Sequence, residues 1–304
     1  MSSVSLSAFA IIPLLFVSGR ATSADAQAEN VEMRIEHAVE SLASRTDADS
    51  LAAAGLLNLV KVPDRSLRLI EQATADAPQR TDLVWLQIRF CQAEPACDPG
   101  PMEEHLRSLD ANNGAGWMGV LTRADKANDE QAKSAALAAI SRSERMDIYW
   151  TTLVARLSRA AAKTESVSLA EAEVAVIGML AARAIPAYQA LSNACKGERL
   201  ERDNGVEVCR GIANALQHGD TYVTEMIGVA IAKRVWPESS PQWQEAMEAQ
   251  QSWEYRADFL RESDAWNAAH TDEYLTLCAQ NRREQDVYEA ELIATGRNAD
   301  PARN

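Results

Sequence analysis

The sequence is poor in the residues that build sheets and turns. Its 304 residues include 4 Phe, 7 Trp and 6 Tyr, with only 13 Gly and 10 Pro. Strands draw on aromatic and β-branched side chains, and Gly and Pro punctuate the many turns of β folds, so this scarcity excludes an all-β chain. Positive charge is also short. Thirty Lys and Arg stand against 44 Asp and Glu, for a net charge of −14. Phosphates attract basic surfaces, so this balance argues against generic nucleic-acid binding. No Gly-rich phosphate loop, no Gly-x-Ser-x-Gly elbow and no His-Glu-x-x-His pair occurs. No cofactor or metal site is therefore expected. The apolar stretch Ser7–Val17 has 11 residues, well short of the ~20 needed to span a bilayer. No transmembrane helix is expected in the mature chain.

What the chain has in quantity is alanine, at 54 positions. Alanine is the best helix former, which points to an all-α fold. The run Ser7–Val17 has the length of a signal-peptide core and is followed by Ala-x-Ala patterns at Ala24–Ala26 and Ala26–Ala28. Residues 1–26 are thus expected to be a signal peptide, although no Lys or Arg precedes the apolar core. The mature chain would then be periplasmic or secreted.

The cysteines agree with export. Cys91 and Cys97 flank a segment containing Pro95, and Cys195 and Cys209 flank a charged loop between two expected helices. Each pair could close a short loop in an oxidising compartment. Cys278 is left over. Spacing alone leaves other pairings of five thiols open.

Helix start signals recur from Glu29 onward. Asp47 precedes the apolar run Leu51–Val60, Pro63 suits a first helical position, and Ser168 with Glu171 forms a capping box. Asp76-Ala77-Pro78 precedes Trp85, and Asp110-Ala111-Asn112, 34 residues on, precedes Trp117. A third aromatic junction, Met146–Trp150, follows 33 residues after Trp117. Each interval accommodates two short helices. The segment Leu109–Trp117, with Trp117 at the aromatic position of a first helix, resembles the inter-repeat junction of tetratricopeptide-type repeats. The likeness covers about residues 46–160. Leu121 and Ala124 stand where that family carries glycine and tyrosine. The resemblance implies helical hairpins stacked over residues 29–165, with a concave face that holds a protein or peptide partner and with Trp85, Trp117 and Trp150 as core markers.

Residues 166–296 keep the helical texture without the period, and 297–304 read as a flexible tail. No Gly/Ser-rich or Pro-rich linker separates the halves, which are expected to pack together. Val174–Ala182 reads as a buried helix that Pro186 ends. On the helix Pro241–Arg261, Trp243, Met247, Gln250, Trp253, Ala257 and Leu260 share one face, which predicts a core stripe. Trp236, Trp266, Tyr255 and Phe259 lie close by. Between Glu238 and Glu291 there are 13 acids and 4 bases, a pattern expected of a solvated face.

His37 and His105, the latter beside Glu103 and Glu104, read as solvated helix residues. The densest chemistry is His218-Gly219-Asp220-Thr221-Tyr222 with Glu225 beyond. Imidazole and two carboxylates in eight residues suit acid–base catalysis, which makes a helical enzyme with a hydrolase-like site the alternative function. The structural alternative is a helix junction: His218 closes one helix, Gly219 provides a left-handed cap and Asp220 caps the next. Thr271 is expected to cap in the same way after His270. The leading expectation is an exported, non-enzymatic, repeat-built binding scaffold.

Overall fold

The computed structural model describes residues 21–59, 61–201, 204–262 and 270–298. The expected signal-peptide core, the last six residues of the tail and Trp266 lie outside these, as do the side chains of Ala257, Phe259 and Leu260. The described residues form fifteen α-helices and two short 3-10 turns joined by short links, with no strand among them. The chain is all-α.

In order the helices are α1 (Ala21–Ala43), α2 (Ala48–Leu57), α3 (Pro63–Asp76), α4 (Thr81–Cys91) and α5 (Gly100–Leu109). Next come α6 (Met118–Ala127), α7 (Glu130–Ser141), α8 (Trp150–Ala162), α9 (Leu169–Arg183) and α10 (Gln189–Ala194). The last five are α11 (Gly205–Gln217), α12 (Tyr222–Val235), α13 (Pro241–Glu262), α14 (Thr271–Gln280) and α15 (Glu284–Ala294).

The start signals act as expected. The Asp47 side chain accepts from the Ser50 amide at the head of α2, Pro63 opens α3, and Ser168 with Glu171 closes a full capping box on α9. Sequence-adjacent helices pack as neighbours in α2/α3, α4/α5, α6/α7, α8/α9 and α11/α12. Two helices form the centre. Every residue of α2 from Ser50 to Leu57 is buried. A Cβ on Gly55 would stand 2.8 Å from Ile70 Cδ1 and 2.9 Å from the Ser66 carbonyl, so α3 approaches α2 closer than a larger residue allows. Helix α8 touches α1, α2, α9 and α14, and nine of its residues are buried. The regions before and after residue 165 pack on each other, through α2 with α9, α7 with α11 and α8 with α14. One apolar cluster runs from Ala38 to Tyr288. No helix of the described residues is long and apolar enough to cross a membrane.

Cys91 is disulfide-bonded to Cys97 and Cys195 to Cys209. Cys278 is a buried free thiol, pushed up to about 12 by burial.

Several expectations are corrected. Helix α9 is one-faced: Ala172, Glu173, Val176 and Leu180 are buried, while Val174 is 59 % exposed. Neighbours α8, α2 and α14 meet it while the opposite face stays open, so an all-apolar run does not become a fully buried helix. Trp243, Met247, Gln250 and Trp253 of the expected stripe are all half-buried, and the buried residue of the helix is Ala246, beside the stripe. Among α13's neighbours α12 makes the main contact, too little to bury an aromatic row. Trp85 and Trp150 are buried, but Trp117 is half-buried with the Arg107 guanidinium 4.5 Å above its ring. Glu103 is 1 % exposed, held by Arg123 at 2.6 Å. Thr271 is the first residue of α14, whose N-cap position belongs to His270.

Candidate functional site

The residues 217–225 fall at the junction of α11 and α12, where chains from three distant parts of the sequence meet. His218 is the C-cap of α11. Its Nδ1 lies 2.8 Å from the Asn214 carbonyl, and its own carbonyl accepts from Arg282. Asp220 is wholly buried. It caps a helix, but a different one from the helix that follows it. Its two oxygens accept the amides of Ile148 and Trp150, each at 2.9 Å, at the start of α8. The cap of α12 is Thr221, whose hydroxyl accepts from the Thr224 amide while Thr224 Oγ1 accepts from Thr221 N–H.

Gly219 is likewise corrected, because it has no positive φ. It is small because a Cβ there would stand 2.7 Å from the Met146 carbonyl and 2.8 Å from the Thr224 side chain. Glu225 accepts from Arg283 at 3.3 Å and from Gln285 at 3.1 Å, with 15 % of its side chain exposed. No hydrogen bond joins His218, Asp220 and Glu225 to one another among the described residues. Each faces its own partner.

Around Asp220 the sequence folds into a ladder of side-chain fasteners that local reading did not find. Asn113 Oδ1 accepts the Asp147 amide at 2.9 Å, and Asn113 Nδ2 donates to the Asp147 carbonyl and the Tyr149 hydroxyl. Tyr149 in turn donates to Asp110 at 2.8 Å. Tyr149 has φ +60°, a left-handed turn that costs a non-glycine residue about 1–2 kcal/mol. That turn lies between the two amides that share the Asp220 carboxylate. Asp147, buried, is paired with Arg145 and Arg282.

A second rung repeats the pattern: Arg80 binds Asp82 and the earlier Asp49, as Arg145 binds Asp147 and the earlier Asp110. The signal was present as Arg-x-Asp at 80–82 and again at 145–147. A third contact closes the ladder. The Glu284 amide donates to the Asp220 carbonyl, and the Glu284 carboxylate accepts the Tyr222 amide at 2.9 Å.

Electrostatics follow from this enclosure. Burial, then neighbouring Asp147, pushes Asp220 up to about 8, against the pull of its two amide donors. Burial likewise raises Glu284 to about 7, with Glu225 adding repulsion. Burial raises Asp147 and Glu225 in spite of their arginines. The junction can therefore store protons near neutrality, yet each of its carboxyls is already holding a backbone amide or an arginine. No group of three or more His, Cys, Asp or Glu converges as metal ligands would among the described residues.

Two open surfaces have a different character. A groove of about 770 Å³ lies between α1, the α2–α3 turn and α9. Its floor includes Val31, Ile35 and Val39 at helical spacing together with Leu57 and Val62. Glu36 and Glu40 of α1 stand opposite Lys61 and Arg65, with which they pair. A cleft of about 450 Å³ lies beside the Cys91–Cys97 disulfide, between α4, α6 and the link after α9. Compared with known proteins, the chain matches no family model, no curated protein and no solved structure.

Proposed function

We propose that this chain is an exported, non-enzymatic helical repeat scaffold of a bacterial cell envelope that holds a partner protein in the groove between α1 and the α2–α3 hairpin. The observation that carries the reading is a contrast. Of the acid–base groups at 218–225, Asp220 is enclosed, while the exposed His218 and the half-buried Glu225 each hold a partner of their own and are not joined to one another among the described residues. The groove, by contrast, is apolar in its floor and charged along its rims. Val31, Ile35 and Val39 repeat at every fourth residue, covering about 12 Å or two helical turns. That length and pattern suit an amphipathic helix of a partner laid alongside α1. Val62, 44 % exposed beside this floor, is an apolar residue without a neighbour of its own to cover it. Export is supported by the signal-like N-terminus and by two disulfides, which persist in oxidising compartments. The repeat reading is supported by the 34-residue spacing and by the recurrence of the Arg-x-Asp fastener.

The test is affinity capture from a periplasmic extract with the mature chain and with Val62→Asp as parallel baits. The reading expects a protein held by the first bait and lost from the second, with both baits melting alike. Equal capture by both, or none by either, refutes it.

A further inference from the structure

The cleft beside the Cys91–Cys97 disulfide concentrates positive charge in an otherwise acidic protein. Arg89, Arg123, Lys126 and Arg183 line it, with Trp85 and Pro186 among its apolar walls and Glu94 as an acid. Arg123 is answered by the buried carboxylate of Glu103, with bonds of 2.8 and 2.6 Å. The other two guanidinium groups have no such answer. Arg89 donates to the carbonyls of Arg183 and Ile185, at 3.1 and 3.0 Å, and to the Gln92 side chain, all neutral acceptors. Arg183 lies 5.4 Å over the Phe90 ring, and its buried Nε has no acceptor. No carboxylate pairs with either arginine among the described residues. Trp85, 2 % exposed, also keeps its indole Nε1 buried without an acceptor.

Two neighbouring, half-buried guanidinium groups without a carboxylate partner repel each other. Burial, with Arg183 adding repulsion, brings Arg89 down to about 10. Such a pair is relieved by an oxyanion that accepts from both planar forks at once. Arg89 is already fixed to the backbone at 183–185, so the fork is held in place before any ligand arrives. Met118, Pro186 and the disulfide give the same cleft an apolar wall.

We infer that this cleft is a binding site for a carboxylate attached to an apolar group, with Arg89 and Arg183 as the anion clamp and Trp85 as a further donor. The carboxylate has two sources of identical chemistry, a free aliphatic acid or the C-terminus of a peptide ending in an apolar residue. This site is separate from the α1 groove and does not depend on the scaffold reading.

The experiment is calorimetric titration of the full mature chain with octanoate, and with a short peptide ending in leucine, carrying either a free or an amidated C-terminus. Binding of octanoate or of the free-terminus peptide, with the amidated peptide at least about tenfold weaker, is the expected result. The tighter of the two acids identifies the source. Arg183→Gln, which breaks no hydrogen bond of the folded chain, weakens the bound acid at least about tenfold, and Arg183→Lys restores part of the loss. The inference is overturned if neither acid binds the wild-type chain, or if a correctly melting Arg183→Gln variant binds it unchanged.

Discussion

Replacing Asp220 with alanine tests whether the junction is a fastener. The carboxylate accepts two buried amides, those of Ile148 and Trp150, and nothing else in the described structure is placed to take them. An orphaned buried donor costs about 1–3 kcal/mol. Two of them cost about 2–6 kcal/mol, reduced by the relief of no longer burying a carboxyl beside Asp147. Against a typical domain stability of about 5–15 kcal/mol this is a large fraction. Asp220→Asn retains one acceptor oxygen and turns an NH₂ toward the other amide, so its loss is smaller and close to one orphaned donor. Urea unfolding followed by circular dichroism gives both values, and unchanged slopes certify that the midpoint shift is a stability change. The order wild type, Asn, Ala is expected. If both variants unfold at the wild-type urea concentration, Asp220 is not holding α8 to the α11–α12 junction.

Further outcomes follow from the enclosed carboxyls, the packing around two glycines and the disulfides. Asp220 and Glu284 are raised to about 8 and about 7, whereas unfolded carboxyls titrate near 4. The folded chain therefore holds protons that the unfolded chain has released, and stability falls as pH rises from about 5 to about 8, by up to about 1.4 kcal/mol per unit for each group. Glu40, Asp47 and Glu171 have lowered values and act in the opposite sense, only in the acid range near and below their ordinary pKa. A stability that is flat or rises between pH 5 and 8 in urea titrations contradicts this assignment. Gly219→Ala should destabilise by about 1–3 kcal/mol through overpacking, while Gly178→Ala in α9, with nothing within 4 Å, should stabilise by about 0.5–1 kcal/mol. Melting curves in which both shift the same way refute the packing account. Thiol titration of unreduced, urea-unfolded protein should find Cys278 alone, about one thiol per chain by pairing arithmetic. Removing the Cys195–Cys209 bridge should cost about 3 kcal/mol.

Much of the helical layout was legible because its determinants are local. Asp47, Pro63 and the Ser168–Glu171 box act within one turn of themselves, and both cysteine pairs close loops short enough for spacing to suggest them. Burial was less legible, because it depends on which neighbour arrives. Val174–Ala182 is apolar all round yet meets helices mainly on one face, while Glu103 looks like surface and is enclosed by Arg123 and Gln92. The junction shows the limit most clearly. Asp220 read locally as a cap, which it is, but the helix it caps begins 70 residues earlier. Nothing within a few residues of Asp220 distinguishes a cap on α12 from a cap on α8. Part of the ladder is legible as a recurring pattern, since Arg80-x-Asp82 and Arg145-x-Asp147 make the same bonds.

The ladder also bears on what the surfaces can do. Each rung ties the head of a helix to a junction distant in the sequence: α4 through Arg80 to Asp49, α8 through Asp220, Asn113 and Tyr149, and α15 through Glu284. Helix ends held by buried bonds lose little further freedom when a ligand binds, so surfaces carried by those helices are preorganised. Arg89 belongs to α4, and two of its three bonds fix it to the end of α9 and the link that follows. Its partner in charge, Arg183, is the side chain left without a bond. An anion would supply the missing acceptor without rearranging the helices that present it. The acids of the junction hold backbone amides and arginines, whereas Arg89 and Arg183 of the cleft have no carboxylate partner among the described residues. That asymmetry, in a chain of net charge −14, makes the cleft a better candidate for ligand recognition than the acid-rich junction.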